Sequence, residues 1–365
     1  MSDNKLPLVL TLDAGGTNFV FSAIRDFEHV GKEITKSAYH ENLRDTIATL
    51  LNGFHEVLSS VSEKPQAISF AFPGPADYNE GIIGDLFNLH TFRGGVPLKN
   101  IIEDKFKIPV FINNDGDLFV LGEAEKGLLP FFNKELVASN SIKKFKNLFG
   151  VTLGTGFGGG CVIDNRLMLG DNSSASEIWL FSNNVLPEYN AETSISIGAI
   201  KRDYADHAKL SLVDVPEPET IYKIAKGEAA GNKDAANMAF QTMGKVLGNV
   251  LANVVTVVDG LIVIGGGLSG AYDIFIGPLL NEMKKNYKQI NDNNIPRLPF
   301  EIYDLENTRE FNKFLIDDIV EVKHSTGNIF YDRHKRIGIG KSKLGTNKAV
   351  SIGAYKFAIQ QLQKY

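Results

Sequence analysis

The sequence predicts an α/β protein with two domains. Its 365 residues exceed the size of one ordinary hydrophobic core and suit two. Short apolar runs that are typical of strands alternate along the chain with longer helical patterns. A unit made of an apolar strand, a glycine turn and a second apolar strand occurs twice, which indicates an internally duplicated design with one such hairpin in each domain.

The first half of the chain begins with the hairpin LVLTLDAGGTNFVFSAI, in which apolar residues lead up to Asp13 and alternate again after the glycines. A helix is predicted from about Leu43 to Val61. Strands are predicted in AISFAFPGP and KIPVFINND, and a helix in DLFVLGEAEKGLL.

The second half begins with the related hairpin FGVTLGTGFGGGCVI. Helical spacing over Met238–Val258 precedes GLIVIGGGLSG, which is typical of a buried strand followed by a glycine turn. The segment NKAVSIGAYKFAIQQLQKY predicts an amphipathic helix. Leu128–Asn147 and Ile302–Lys341 fit these patterns poorly, and we interpret them as insertions or edge elements.

Composition excludes several classes of function. The formal net charge of −5 argues against a nucleic-acid surface, which needs clustered Lys and Arg. A single cysteine, Cys161, excludes disulfide frameworks, zinc ribbons and cysteine-ligated iron–sulfur clusters. The start, MSDNKLPLVLTLD, is too short and polar for a signal peptide, and no stretch approaches the length of a membrane span. We therefore expect a cytoplasmic protein with no nucleic-acid or membrane partner.

Three glycine turns follow apolar strands: Asp13–Thr17, Gly154–Gly160 and Gly265–Gly267. A phosphate approaches the backbone closely only where no Cβ intervenes and several N–H groups point inward. Each turn alone is better explained as a tight structural turn, but three together favour phosphate binding. The GxxxxGK[ST] loop is absent. The GxGxxG run at Gly154–Gly159 is followed by a strand and not a helix, and the run at Gly265–Gly270 opens a helix but lies late in the chain and lacks a following strand with a terminal acid.

The segments LDAGGTN, INNDGD, TLGTGFGGG and IVIGGGLS occur in this order and together resemble the ROK family of sugar kinases and sugar-responsive repressors. The resemblance covers about Val9–Ser269 and the C-terminal helix. It implies two actin-like, ribonuclease H-like domains with an interdomain cleft, and an ATP-dependent, glucokinase-like hexose kinase. The implied domains are residues 1–118 with 346–365, for sugar and phosphate, and residues 119–345, for the nucleotide and sugar specificity.

The resemblance also implies the residues of the site. Asp115 would be the catalytic base, and Asp13 would lie near Mg2+ in an enzyme whose cofactors are ATP and Mg2+. The implied ATP-binding residues are Asp13, Gly15, Gly16, Thr17, Asn18, Gly154, Thr155, Gly156, Gly265, Gly266 and Gly267. The implied sugar-binding residues are Gly74, Asn88, Asn114, Asp115, Glu177 and Glu192.

These residue types suit the implied chemistry, although each has a simpler structural explanation. A carboxylate can take the proton of a sugar hydroxyl as that oxygen attacks phosphorus, yet Asp115 could instead cap a helix, for which Asp117 is the better candidate. Carboxylates and amides bind hydroxyls in fixed directions. Glu177 could, however, close a capping box with Ser174, and Asn88 could hold a loop.

The sequence departs from the family at a structural zinc site. The family's zinc-binding histidine, three residues after the first glutamate, is replaced by Leu180, and the cysteine cluster is missing. We therefore expect no zinc. We predict instead that Trp179, Leu180, Phe181 and Leu186 pack as a small apolar core in place of the metal.

Other functions remain as alternatives. A repressor needs a DNA-binding domain ahead of the first strand, and that strand begins within ten residues of Met1. A non-DNA-binding sugar-sensing regulator is less favoured because Asp13, Thr17 and Asp115 are present. Glucose is the leading substrate, with N-acetylhexosamines, mannose and fructose open, and a homodimer is the commonest expectation.

Overall fold

A computed structural model describes residues 6–14, 18–74, 76–86 and 90–364 of the chain. The described residues form two compact units. Unit 1 contains those within Met1–Gly127, Arg166–Ala175 and Leu344–Tyr365, and unit 2 contains those within Leu128–Asn165 and Ser176–Lys343. Each unit has a main β-sheet and α-helices, which confirms the predicted α/β class.

Strands and helices lie at the places predicted around the glycine turns, although α7 begins at Lys233 rather than Met238. The strands are β1 (Val9–Ala14), β2 (Asn18–Arg25), β3 (Glu28–Ser37), β4 (Ala67–Ala71), β5 (Ala76–Asp77), β6 (Ile82–Ile83), β7 (Val96–Pro97), β8 (Val110–Asn113), β9 (Leu148–Leu153), β10 (Phe157–Ile163), β11 (Arg166–Leu167), β12 (Leu261–Gly265), β13 (Asn286–Lys288), β14 (Asn294–Pro296), β15 (Glu301–Asp304), β16 (Ile319–His324), β17 (Gly327–Asp332) and β18 (Arg336–Lys341). The α-helices are α1 (Leu43–Ser59), α2 (Leu98–Phe106), α3 (Asp115–Glu125), α4 (Leu128–Ala138), α5 (Ile197–Ala208), α6 (Pro218–Lys226), α7 (Lys233–Val258), α8 (Tyr272–Met283), α9 (Thr308–Phe314) and α10 (Thr346–Leu362).

The main sheet of unit 1 has the strand order β3-β2-β1-β4-β8. Strand β1 is antiparallel to β2, whereas β1, β4 and β8 run parallel to one another. The carboxyl ends of these three parallel strands therefore meet at one edge of the sheet, the edge at which open α/β sheets bind ligands. Asp13 is the second-last residue of β1, and Asp115 follows the end of β8 by two residues.

Aromatic side chains fill the core between this sheet and α1. Phe19 and Phe21 of β2, Phe54 of α1 and Phe70 of β4 are fully buried. The rings of Phe21 and Phe54 meet edge to face with centroids 5.1 Å apart, a favoured geometry for aromatic pairs. This packing holds the strands whose carboxyl ends carry the predicted site residues.

Helices α3 and α10 of unit 1 touch backbone to backbone. A Cβ on Gly122 would overlap the carbonyl group of Ala349, and one on Gly353 would overlap the carbonyl group of Leu118. Glycine at both crossings is therefore required by space. Eight of the 17 residues of α10 are buried and they lie on more than one side of the helix, so the prediction of an amphipathic helix was wrong. The contact fixes α3, whose first residue is Asp115.

The main sheet of unit 2 repeats the design of unit 1. Among the strands that belong to unit 2, the order is β10-β9-β12-β18-β15, with β10 antiparallel to β9 and the other three parallel to β9. Both sheets thus begin with an antiparallel hairpin that joins a parallel set. This shared order supports the duplicated design that the two hairpin sequences predicted.

The interpretation of Ile302–Lys341 as an insertion or edge was wrong for its last strand. Strand β18 lies inside the sheet between β12 and β15. Its buried Ile337 and Ile339 alternate with glycines, and a Cβ on Gly338 would stand 2.5 Å from a methyl carbon of Leu305. Close packing thus explains why this strand lacks the continuous apolar run that marks the others.

The other strands and poorly predicted segments form smaller elements. Strands β5, β6 and β7 make a three-stranded sheet in unit 1, while β13–β14 and β16–β17 are separate hairpins in unit 2. The segment Leu128–Asn147 contains α4, whose Leu128 and Phe132 are buried in unit 2. Within the ranges that the structure describes, no helix has both the length and the apolar character that crossing a membrane requires.

Candidate active site

Two aspartates lie at the carboxyl edge of the parallel strands in unit 1. Asp13 is half-buried at the end of β1, and Asp115 remains accessible to solvent at the start of α3. Desolvation, and then the negative charge of Asp115, raise the pKa of Asp13 above its ordinary value. Desolvation by the surrounding protein also raises the pKa of Asp115, against the opposing effect of the backbone N–H of Gly116. The two carboxyl groups are therefore close enough to interact, and each binds its proton more tightly than usual.

Asn114 is the N-cap of α3. Its side-chain oxygen accepts a hydrogen bond from the N–H of Gly116 at 2.8 Å. The sequence-based suggestion that Asp117 caps this helix was wrong, because Asp117 lies inside the first turn and is buried. Asp115 is therefore not needed as the cap, and its carboxylate is left facing solvent at the helix N-terminus.

Tyr78 links Asn114 to the turn that follows β4, and sequence reasoning missed it. The Tyr78 hydroxyl donates to the carbonyl oxygen of Phe72 at 2.9 Å and accepts from the side-chain amide of Asn114 at 3.4 Å. A Cβ on Gly74 would lie 3.1 Å from this hydroxyl oxygen. Gly74 and Asn114 thus share Tyr78 as a neighbour. Nothing in the sequence PADYNE marks this tyrosine, since an isolated tyrosine in a loop has no pattern to identify it.

Several predicted residues of unit 1 cannot be placed. Gly15, Gly16, Thr17 and Asn88 lie outside the described residues. Asn18 is the first residue of β2; it is exposed and pairs with Ser37 of β3. The first predicted phosphate loop is therefore represented by its two flanks, Asp13–Ala14 and Asn18.

The second predicted phosphate loop joins β9 to β10 in unit 2. The N–H of Gly154 donates to the carbonyl oxygen of Gly156 at 3.0 Å, which closes the turn. Open space surrounds Gly154 where a Cβ would be. Thr155 lies between these glycines at the tip of the turn. The backbone at Gly154 is consequently accessible to a phosphate group.

The third glycine turn adjoins the second in the same sheet. Gly265 ends β12, which is parallel to β9, so both turns leave the sheet at the same edge. Gly266 has a φ of +85°, and a Cβ on it would overlap the backbone of Leu153. Glycine is therefore required here both by conformation and by space. Gly267 follows and has open space on its Cβ side.

Glu177 and Glu192 lie on the irregular segment that follows the second hairpin of unit 2. Glu177 precedes a short 3₁₀ helix, Ile178–Leu180, and its carboxylate accepts a hydrogen bond from the indole N–H of Trp179. The alternative of a capping box was wrong, because the Ser174 hydroxyl donates to the carbonyl oxygen of Asn172 instead. Glu192 lies in a second 3₁₀ helix, Ala191–Ser194, and accepts from the N–H of Phe157 at 2.8 Å.

The predicted apolar core in this segment was wrong. Leu180, Phe181 and Leu186 are 58%, 36% and 37% exposed, so they cannot replace a metal by packing. Ile178 and the small Ala191 are the buried apolar side chains here, and Ile178 lies against Gly159, where a Cβ would be 2.8 Å away. Polar contacts add to this limited apolar packing.

Asn183 organises the segment, and sequence reasoning missed it. Its side chain is buried, and its amide group donates to the Ser194 hydroxyl at 2.8 Å and to the carbonyl oxygen of Asn190 at 3.2 Å. Its side-chain oxygen accepts from the N–H groups of Val185 and Leu186, both at 2.9 Å. A buried amide with all these partners fixes a loop much as a short stretch of secondary structure would.

No metal site is evident in the part of the chain that the structure describes: it contains no group of three or more His, Cys, Asp or Glu side chains placed to hold an ion. Cys161 is buried in β10. Leu180 stands where the zinc-binding histidine was expected, and its side chain is exposed.

The paired sheets, each with an antiparallel hairpin and glycine turns at the carboxyl edge of its parallel strands, define an actin-like α/β fold. The chain belongs to the ROK family, whose model matches residues 9–304.

Proteins similar to this chain include one of known structure and two that are matched by sequence. A glucokinase from Parabacteroides distasonis is 45% identical, with 99% of each chain covered and a TM-score of 0.88. A glucokinase of Halalkalibacterium halodurans is 29% identical over 65% of this chain and 71% of its own. An N-acetyl-D-glucosamine kinase of Vibrio parahaemolyticus is 28% identical over 70% of this chain and 83% of its own.

Proposed function

We propose that this protein is an ATP-dependent hexose kinase, with glucose as the first candidate substrate. The observation that carries the proposal is Asp115: a solvent-accessible carboxylate with a raised pKa, at the carboxyl edge of the sheet and the N-terminus of α3. Membership of the ROK family and the likeness to glucokinases support the same activity.

In the proposed reaction Asp115 is the general base. A sugar hydroxyl donates its proton to the Asp115 carboxylate while its oxygen forms a bond to the γ-phosphorus of ATP. The bond from that phosphorus to the β,γ-bridging oxygen breaks, and ADP leaves with the electron pair. A raised pKa makes Asp115 a stronger base, which brings it closer to the value that suits proton transfer at neutral pH.

The sugar and the nucleotide are assigned to different residues. We assign the sugar hydroxyls to Gly74, Asn88, Asn114, Asp115, Glu177 and Glu192. We assign the phosphates and adenosine to the three glycine turns with Asp13, Thr17, Asn18 and Thr155. Backbone N–H groups at the glycines can donate to phosphate oxygens without steric hindrance.

Magnesium fits the oxygen donors in unit 1. Mg2+ in nucleotide sites commonly binds one or two carboxylates, through water or directly, together with substrate phosphates. Asp13 has a pKa raised by desolvation and by Asp115, a condition that a nearby cation would relieve. Asp13 would hold the ion, which would neutralise charge on the phosphates when bound.

The enzyme is proposed to need no zinc. The buried Asn183 amide holds the segment that carries Glu192. Leu180 stands where the family has its zinc-binding histidine, and a leucine side chain cannot bind zinc. Elemental analysis of the purified protein should find no zinc in proportion to protein. Stoichiometric zinc would contradict this part of the proposal.

The cellular setting is also a proposal. The product of a glucokinase-like reaction is a sugar phosphate of glycolysis, so we place the enzyme in the cytoplasm, without a nucleic-acid or membrane partner. We expect a homodimer, which is the commonest oligomeric state of soluble oligomers. Sedimentation velocity would measure the oligomeric state.

A coupled assay of ADP release tests the proposal. The purified protein is supplied with ATP, Mg2+ and one sugar from a panel: glucose, mannose, fructose, N-acetylglucosamine and N-acetylmannosamine. We expect glucose to give the highest kcat/KM. An N-acetylhexosamine kinase is the second candidate, since such a kinase is among the relatives, and the same panel decides between them. ADP release that no sugar stimulates would contradict kinase activity altogether.

A further inference from the structure

The loop between β9 and β10 is tied at both ends to one short stretch of unit 2. At its end, the N–H of Phe157 donates to a carboxylate oxygen of Glu192 at 2.8 Å. At its start, the carbonyl oxygen of Gly154 accepts from the N–H of Ile197 at 2.8 Å. The proposed phosphate loop is therefore held by residues 192–197, which belong to the proposed sugar-binding segment.

The backbone that carries Glu192 is itself firmly fixed. Ala191 and Ser194, which flank it in the 3₁₀ helix, are buried. Ser194 accepts the Asn183 amide at 2.8 Å, and the Asn190 side-chain oxygen accepts from the Thr193 hydroxyl at 2.9 Å. The carboxylate of Glu192 can therefore change partner by rotation of its side chain, with its backbone left in place.

Gly156 leaves the space that this carboxylate occupies. A Cβ on Gly156 would lie 2.8 Å from the same oxygen of Glu192 that accepts the Phe157 N–H. The glycine thus serves the contact with Glu192 as well as any approach of a phosphate. Carboxylate and phosphate require the same thing from this loop: backbone N–H donors free of side chains.

A phosphate and the Glu192 carboxylate therefore compete. Both are anions, so a phosphate bound at this loop and the carboxylate would repel each other, and the Phe157 N–H cannot serve both fully. A sugar hydroxyl is a donor that the carboxylate could accept instead. Binding of a sugar would then free the N–H and move the negative charge away from the loop.

We propose that Glu192 couples the two substrates. Without sugar, its carboxylate occupies the Phe157 N–H and opposes the nucleotide; with sugar bound, it accepts a sugar hydroxyl and leaves the N–H to a nucleotide phosphate. The inference rests on the proposed function, which makes Glu192 a sugar ligand and the loop a phosphate site. It predicts that the sugar strengthens nucleotide binding and that ATP is poorly used when no sugar is present.

Calorimetry of an ATP analogue with an imido-bridged γ-phosphate, with and without the best sugar of the panel, tests the coupling. For the unaltered protein we expect saturating sugar to raise nucleotide affinity about fivefold or more, within the usual range of coupling between sites. Glu192→Ala removes both the charge and the hydrogen bond. It should bind the nucleotide more tightly than the unaltered protein when sugar is absent, and lose most of the coupling.

Two further variants sharpen the result. Glu192→Gln removes the charge but keeps an acceptor for the Phe157 N–H, so its sugar-free nucleotide affinity should fall between those of Glu192→Ala and the unaltered protein. Glu188→Gln removes a charge from an exposed position of the same segment and should keep the original coupling. Thermal melts establish that each variant is folded.

The outcomes separate this inference from the proposed function. Sugar-free nucleotide affinity that is unchanged or weaker in both Glu192 variants would overturn the coupling role, even if both bind sugar poorly. An unaltered protein in which sugar leaves nucleotide affinity unchanged would also overturn it, while phosphorylation of the sugar would still stand. A failure of every sugar to be phosphorylated would instead overturn the proposed function.

Discussion

Asp115 and Glu192 are both proposed to act on substrates, but the two units hold them differently. Asp115 lies between regular elements: β8 ends two residues before it, and it begins α3, which α10 fixes through backbone contact. Glu192 lies in a segment without strands or α-helices, held by the side chains of Asn183 and Asn190. A base must keep its geometry through the reaction, whereas a ligand-binding group gains from being able to change partner.

Replacement of the base should give the largest effect. Asp115→Asn keeps the size of the side chain but removes the proton acceptor, so kcat should fall by at least about 100-fold. Nucleotide affinity should barely change, because the loops assigned to ATP are untouched. The measurement is steady-state kinetics with the best sugar, together with nucleotide binding.

Asp104→Asn is the matched control, since this aspartate of unit 1 is exposed on α2, where its carboxylate lies beside Lys107. Near-normal turnover by Asp115→Asn would contradict the assignment of Asp115 as the general base, and with it the contrast drawn between Asp115 and Glu192.

Activity should also depend on pH in a direction set by Asp115. Its pKa is raised by desolvation, and a general base must be deprotonated to act. As pH falls through this raised pKa, kcat/KM should fall by about tenfold for each pH unit, and the fall should begin above the ordinary aspartate value of 3.8. A pH profile of kcat/KM for the unaltered enzyme measures it. A profile that stays flat down to the ordinary value would contradict the raised pKa.

A change at Asn183 should weaken the segment without touching the base. Asn183→Ala leaves the buried Ser194 hydroxyl without its donor, and an unsatisfied buried group costs about 1–3 kcal/mol. The free energy of unfolding should fall by that order. The KM for sugar should rise more than kcat falls, because Glu192 loses its support while Asp115 keeps its own.

The neighbouring Asn184→Ala is the control, since Asn184 is exposed. Urea unfolding and sugar kinetics are measured for both variants. Equal effects of the two replacements would show that the buried amide has no special role.

Trp179 should give the smallest signal. It is the only tryptophan, and its indole N–H donates to Glu177. A sugar bound by Glu177 should change the surroundings of the indole, so fluorescence should shift with saturable dependence on the sugar and much less with ADP. A signal that no phosphorylated sugar changes would argue against Glu177 as a sugar ligand.

Most of the strands and helices that hold Asp115 could be predicted from sequence, whereas the contacts of the irregular segment that carries Glu192 could not. An apolar run that ends in Asp13 or in Asn113 marks a strand end, because burial and the following turn leave a clear pattern. Strand β18 was missed because glycines replace every second side chain. Asn183 was missed because a buried asparagine and an exposed one look the same in sequence, and exposed Leu180 suggested packing that does not occur.

The backbone contact between α3 and α10 has a consequence for synthesis. The strands of unit 1 and α3 are made early, and domains tend to fold from the N-terminus as they emerge. Helix α3, however, gains its partner at Gly353 only when α10 has left the ribosome. We therefore expect Asp115, the first residue of α3, to reach its native position only after α10 has been made. A chain that ends before α10 should then be inactive, with no residual kinase activity.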